Sequence, residues 1–109
     1  MVGVSVSTHV LDAATGTPAA GVAVSLTDAA GSPCGTGTTD TDGRVGAVAA
    51  DLDAGTYRLR FATGEYFADR GVTAFWPEVE LAFTVTATDT HLHVPLLLSP
   101  FAYSTYRGS

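Results

Sequence analysis

The chain has no lysine, a single cysteine and no long apolar run, and each shortage removes a class of function. Eleven carboxylates stand against five arginines, for a net charge of −6. A phosphate backbone needs a broad basic face, which this balance does not supply, so nucleic acid is excluded as the main partner. One thiol, Cys34, rules out an internal disulfide. It lies in a Gly-Ser-Pro-Cys-Gly stretch that reads as a turn, where a passive loop cysteine is expected rather than a nucleophile. Leu96-Leu97-Leu98 is far short of the ~20 apolar residues of a membrane helix, so no membrane partner is expected. The start of the sequence lacks a basic region ahead of an apolar segment, and Arg-Gly-Ser is not a peroxisomal address. A cytoplasmic location is the resulting expectation.

What remains is a folded composition. Hydrophobic residues make up 46% of the 109 residues and charged ones 15%, which fits one domain, residues 1–109, around one core. Apolar and polar residues alternate with period two over residues 4–10, the pattern of a strand with one buried face. Val4, Val6, Thr8 and Val10 share that face, and Ser5, Ser7 and His9 point the other way. Strands are also expected over residues 22–27, 35–40, 45–49, 56–62, 78–87, 91–99 and 102–107, separated by turns rich in Gly, Pro and Asp. Residues 64–70 break the strand pattern, and Glu65, Tyr66, Phe67, Ala68 and Asp69 suit two turns of helix, with Thr63 as its cap and Gly71 as its stop. Eight short strands and one short helix predict an all-β sandwich.

Residues 91–98, His-Leu-His-Val-Pro-Leu-Leu-Leu, are the most informative. Leu92, Val94, Leu96 and Leu98 form a core face, which leaves His91, His93, Pro95 and Leu97 outward. His9 is outward on its own strand. A single outward imidazole is usually just solvated. Two that converge on one surface, with ordinary pKa values of about 6.5, suit proton transfer near neutral pH. Convergence requires the strands of His9 and His93 to be neighbours. A hydrolytic site also needs shelter, so a second subunit is expected over this face, and an exposed Pro95 and Leu97 would suit a covered surface.

Arg44 directly follows an Asp-Gly turn. It reads either as a solvated partner of Asp40 or Asp42, or as a fixed guanidinium for a planar polar substrate or an oxyanion. A zinc site is the competing use of the histidines. The usual ligand spacing and an obvious supporting carboxylate are both missing, so no metal is expected. Neither a Gly-rich phosphate loop nor a Gly-x-Ser-x-Gly elbow is present.

Two regions together resemble the hydroxyisourate hydrolases of the transthyretin fold. The first is Ser7-Thr8-His9-Val10-Leu11-Asp12 with the following Thr15-Gly16-Thr17-Pro18-Ala19. The second runs from His91-Leu92-His93-Val94-Pro95 to the final Tyr106-Arg107-Gly108-Ser109. The first half alone also resembles non-enzymatic sandwich modules. The Tyr-Arg-Gly-Ser ending is the more specific signal, because transthyretin proper, a hormone carrier, lacks it. Leu92 stands where the family more often has Tyr, and Ala102 where it more often has Gly.

The resemblance implies a transthyretin-like (prealbumin-like) sandwich that opens the ring of 5-hydroxyisourate. The product would be 2-oxo-4-hydroxy-4-carboxy-5-ureidoimidazoline, in urate degradation. The reaction would be a cyclic amide hydrolysis without cofactor or metal, by water attack on a ring carbonyl. The implied catalytic residues are His9, Arg44, His93 and Ser109, and Tyr106 and Arg107 complete the substrate pocket. The implied assembly is a homotetramer with its sites between subunits. The sequence does not say which histidine is base and which is acid. The alternative is a non-enzymatic protein of the same fold that binds a small ligand.

Overall fold

A computed structural model of the chain describes residues 3–109, so the first two positions of the expected domain lie outside the described residues. Period-two alternation in strand β1, Val4–Asp12, puts Val4, Val6, Thr8, Val10 and Asp12 in the interior. β1 is the spine of the first sheet. It pairs antiparallel with β2, Thr17–Pro18, and with β5, Arg44–Leu52. Its other edge pairs with β8, His91–Leu98, in parallel, through an unbroken register from Ser5↔His91 to Asp12↔Leu98. The short β9, Tyr103–Thr105, adds to the far end of β8.

The second sheet is antiparallel throughout, in the order β4-β3-β6-β7. Its strands are β3, Ala23–Asp28, β4, Pro33–Thr38, β6, Gly55–Phe61, and β7, Val79–Val85. The two sheets close on a core that includes Val6, Val10, Leu26, Leu59, Phe61 and Leu96, each fully buried. Burying one such side chain stabilises the fold by about 1.5–3 kcal/mol. The outer face of β6 carries Arg58 and Arg60, paired with Glu80 and Glu78 across or beside β7 at 3.5 and 3.0 Å.

Helix α1, Thr63–Asp69, crosses one end of the sandwich and buries Tyr66 and Phe67. The Tyr66 hydroxyl donates to Asp12 Oδ2 at 2.9 Å, while Asp12 Oδ1 accepts from the amides of Ala14 and Thr15. This satisfied carboxylate ties the helix to the end of β1. Arg70 lies 3.7 Å from the centre of the Tyr66 ring and donates to the carbonyl of Ala20.

Several local expectations change. Thr63 is not the cap. The β6 ladder runs on through Ala62, whose amide bonds Ala23, so the helix starts at once and Thr63 is buried inside it. Gly71 does stop the helix, at φ +67. The turn after β1 contains the extra strand β2. Cys34 lies on β4 rather than in a turn, half-buried against the core at a register shift between β3 and β4. Pro95 is already buried within the single chain, and Leu97 is half-buried, so neither is the exposed apolar residue expected.

Candidate active site

Arg44 opens β5, and its position is set by the turn before it. Asp40 Oδ1 accepts from the amides of Asp42 and Arg44 at 2.9 and 3.0 Å, and its carbonyl accepts from Gly43 at 2.9 Å. The amide of Arg44 is the main cause that holds the Asp40 carboxyl below its usual range, which keeps it ionised beside Arg44 and His9. Gly43 sits at φ +75, and its carbonyl accepts from Val10 at 2.7 Å. A Cβ at this position would stand 2.3 Å from the Val10 oxygen, so the turn needs glycine to lie against β1. The turn is thereby locked to β1, and Arg44 becomes the direct cross-strand partner of His9. Among the described residues Arg44 makes no salt bridge, so its guanidinium is not committed to Asp40 or Asp42.

His93 reaches the same face from the other side of β1. The parallel register sets Ser7 opposite His93 and His9 opposite Pro95. His9 and His93 are therefore diagonal neighbours, with Cα atoms about 8 Å apart by ordinary strand spacing and rise. Ser7 Oγ lies 2.7 Å from His93 Nδ1 and 2.9 Å from His91 Nε2, and Ser5 Oγ lies 2.6 Å from His91 Nδ1. Partial burial lowers the pKa of His93, and the Arg44 charge and the neighbouring His9 and His91 rings lower it further. At neutral pH His93 is thus an uncharged imidazole, able to accept a proton.

The C-terminal segment lies along His93. The amide of Gly108 donates to the carbonyl of His93 at 2.9 Å. A Cβ on Gly108 would come within 2.6 Å of His93 Cδ2, so only glycine lets the chain pass this close to the imidazole. Tyr106 and Arg107 flank a cleft of about 330 Å³ that His93 also lines, with Leu81 and Phe83 of β7 on its far wall. The Arg107 side chain is largely exposed and reaches Asp89 at 3.3 Å. Ser109 is exposed beyond Gly108.

The structure thus brings His9, Arg44 and His93 onto one outward face, and the backbone of the Tyr106–Ser109 segment lies beside it. Ser7, His91 and Gly108 also shape this face, and the sequence reading gave none of them a part in the hydrolytic site. Ser7 and His91 could have been suspected, since alternation puts them on the histidine-bearing faces. Among the described residues no group of three or more His, Cys, Asp or Glu side chains is arranged to hold a metal ion. None of the described helices is long and apolar enough to cross a membrane.

Residues 6–108 match the HIUase/Transthyretin family. The chain belongs to this family. Within the HIUase/Transthyretin family, a 5-hydroxyisourate hydrolase of Salmonella typhimurium is 46% identical over 108 residues, covering 94% of this chain and 79% of the relative. The solved 5-hydroxyisourate hydrolase of Klebsiella pneumoniae superposes with a TM-score of 0.88 at 40% identity, covering 96% of this chain and 93% of that one. Sea bream transthyretin in complex with thyroxine superposes with a TM-score of 0.89 at 33% identity, covering 95% and 94%. The fold is the transthyretin-like sandwich. Its backbone fits a hydrolase and a thyroxine-bound transthyretin equally well, so the side chains of the site must decide between them.

Proposed function

We propose that this chain is a hydrolase of 5-hydroxyisourate, acting in urate degradation as a single domain over residues 1–109. The reading is carried by one arrangement: His9 opposite Arg44 on β1 and β5, with an uncharged His93 on the adjoining strand of the same face. Similarity to hydrolases of this substrate supports it.

The geometry suggests a division of labour. Water attacks a ring carbonyl, and His93 accepts its proton as general base. The Arg44 guanidinium, free of a carboxylate partner among the described residues, takes the charge that develops on the carbonyl oxygen. His9, beside Arg44, returns a proton to the leaving ring nitrogen. Atoms balance: the C–N bond breaks, a C–O bond forms, the His9 proton ends on nitrogen, one water proton stays on His93, and the new carboxyl group releases the other to solvent. Loss of the His93 proton to solvent and uptake of one by His9 restore both rings. Tyr106, Arg107 and Ser109 bound the substrate pocket. No metal or cofactor enters these steps.

A face built from the outer side of a sheet is open in one subunit, and the reaction benefits from shelter. We infer a homotetramer whose subunits cover it. Large exposed aromatics support self-association: Phe75 and Phe101 are 67% and 66% exposed. A cytoplasmic location is part of the same proposal. The test is to generate hydroxyisourate in place from urate and follow its near-ultraviolet absorbance. Faster decay with the protein is expected, whereas unchanged decay would favour a ligand-binding role like that of transthyretin with thyroxine.

A further inference from the structure

Four side chains on the outward face of β1 and β8 form a continuous hydrogen-bonded chain, Ser5–His91–Ser7–His93. The hydrolysis described above does not by itself call for it. Its centre is Ser7, which is 8% exposed and whose hydroxyl lies between two imidazole nitrogens, His91 Nε2 and His93 Nδ1. A hydroxyl carries one proton and can accept as well as donate. Ser7 can therefore donate to only one of the two rings and must accept from the other.

Two directions satisfy every contact. In one, Ser7 donates to His93 Nδ1, which leaves the His93 proton on Nε2, where the ring cannot act as a base. In the other, His93 Nδ1–H donates to Ser7, Ser7 donates to His91 Nε2, and His91 Nδ1–H donates to Ser5. His93 Nε2 then holds a free lone pair. When this nitrogen takes a proton from water, both ring nitrogens of His93 carry hydrogen, and Nδ1–H still needs an acceptor. The second direction already provides that acceptor, so proton uptake requires no rearrangement around the ring. The first requires the Ser7 hydroxyl to turn and the chain to reverse. Such preorganisation is what a general base at this position needs.

We propose that Ser7 is a positioning residue that, with His91 behind it, holds His93 in the tautomer protonated on Nδ1 and leaves Nε2 free to accept the proton of the attacking water. The proposal rests on the reading of His93 as the base. Without the serine hydroxyl, Nδ1 loses the contact that holds its proton, and a neutral imidazole left to itself favours the proton on Nε2, the unreactive form.

The test joins nitrogen-15 spectra of the three histidines, recorded on the substrate-free protein, with kinetics of Ser7→Ala and Ser7→Thr. Wild type is expected to show His93 protonated on Nδ1, and Ser7→Ala to shift the proton toward Nε2. In Ser7→Ala kcat should fall about tenfold to a hundredfold, the usual scale for losing a group that orients a functional histidine. KM should change by less than about twofold, because the hydroxyl acts on the ring and not on the substrate. Ser7→Thr keeps the hydroxyl on a strand-compatible side chain and should recover most of the rate. A wild-type spectrum with His93 unprotonated on Nδ1 would overturn the proposal, as would a kcat for folded Ser7→Ala within about twofold of wild type. The spectra need no substrate. A wild type that shows the expected tautomer but no turnover would support the role of Ser7 in setting it and count against the hydrolase reading.

Discussion

His9 and Arg44 are direct partners across the β1–β5 ladder, although they lie far apart in sequence. Two separate devices produce this pairing: the Asp40 carboxylate that clamps the amide of Arg44, and Gly43, whose backbone presses against Val10. The guanidinium is thereby presented beside the imidazole, while the low pKa of Asp40 is used up in holding the turn. Replacing Arg44 with Gln should leave the fold intact and lower kcat/KM by about 10²–10³, the scale of one lost oxyanion donor. Steady-state kinetics on the folded variant tests this, and a loss below about threefold would remove Arg44 from the chemistry.

The same arginine contributes, after burial, to the pH response. Burial and then the Arg44 charge hold His93 below the ordinary imidazole value. An unfolded histidine gains its proton near pH 6.5, but the folded His93 gains one only at lower pH. Between the two values the unfolded state binds more protons, so the contribution of His93 to stability falls as pH drops through this window. The base itself stays unprotonated across it. Arg44→Gln should move the His93 titration midpoint upward, read by NMR, and should move the acid limb of any residual activity the same way. An unchanged midpoint would show that Arg44 does not act on this ring.

Gly108 offers a steric probe of the C-terminal segment. Its missing Cβ leaves the space that the His93 ring edge occupies at 2.6 Å. Gly108→Ala should push the segment off His93 and reduce turnover at least tenfold, a typical result of displacing a reacting group by about 1 Å. Thermal stability should change little, because the segment is mostly exposed. Deleting residues 107–109 should have the same effect on turnover. Full activity in both variants would detach this segment from the site.

Away from the site, Tyr66→Phe tests the clamp between helix and sheet. It removes the donor to Asp12 Oδ2 and leaves a buried carboxylate oxygen without that partner. The expected cost is about 1–3 kcal/mol in denaturant unfolding. Specific activity of the folded fraction should remain near wild type, since the site lies on the other side of β1.

The faces of β1 and β8 were legible in the sequence because period-two alternation separates Val6 from Ser7 and Leu92 from His93. Arg44 stood out by its place after the Asp-Gly turn with two readings open, and the family resemblance supplied its catalytic role and the C-terminal residues. What alternation cannot carry is the pairing of strands within the sheet. The parallel register of β1 with β8 joins segments from opposite ends of the chain, and only that register converts Ser7 from a polar surface residue into a contact of His93. The pairing of Arg44 with His9 was hidden for another reason. β5 is irregular, with two register shifts against β1, so counting along it from Leu52 does not predict what faces His9. Pro95 looked exposed by alternation, yet it is buried. Gly108 read as part of a motif, while its physical reason is the edge of an imidazole.

The most direct measurement compares wild type with a His9→Asn, His93→Asn double variant in the decay of freshly formed hydroxyisourate, with circular dichroism to verify that both are folded. The account predicts rapid loss of absorbance with wild type and a rate for the double variant within about tenfold of buffer alone, because the proton-transfer groups are worth about 10²–10⁴ each. A folded double variant that matches wild type, or a wild type that matches buffer, would contradict it.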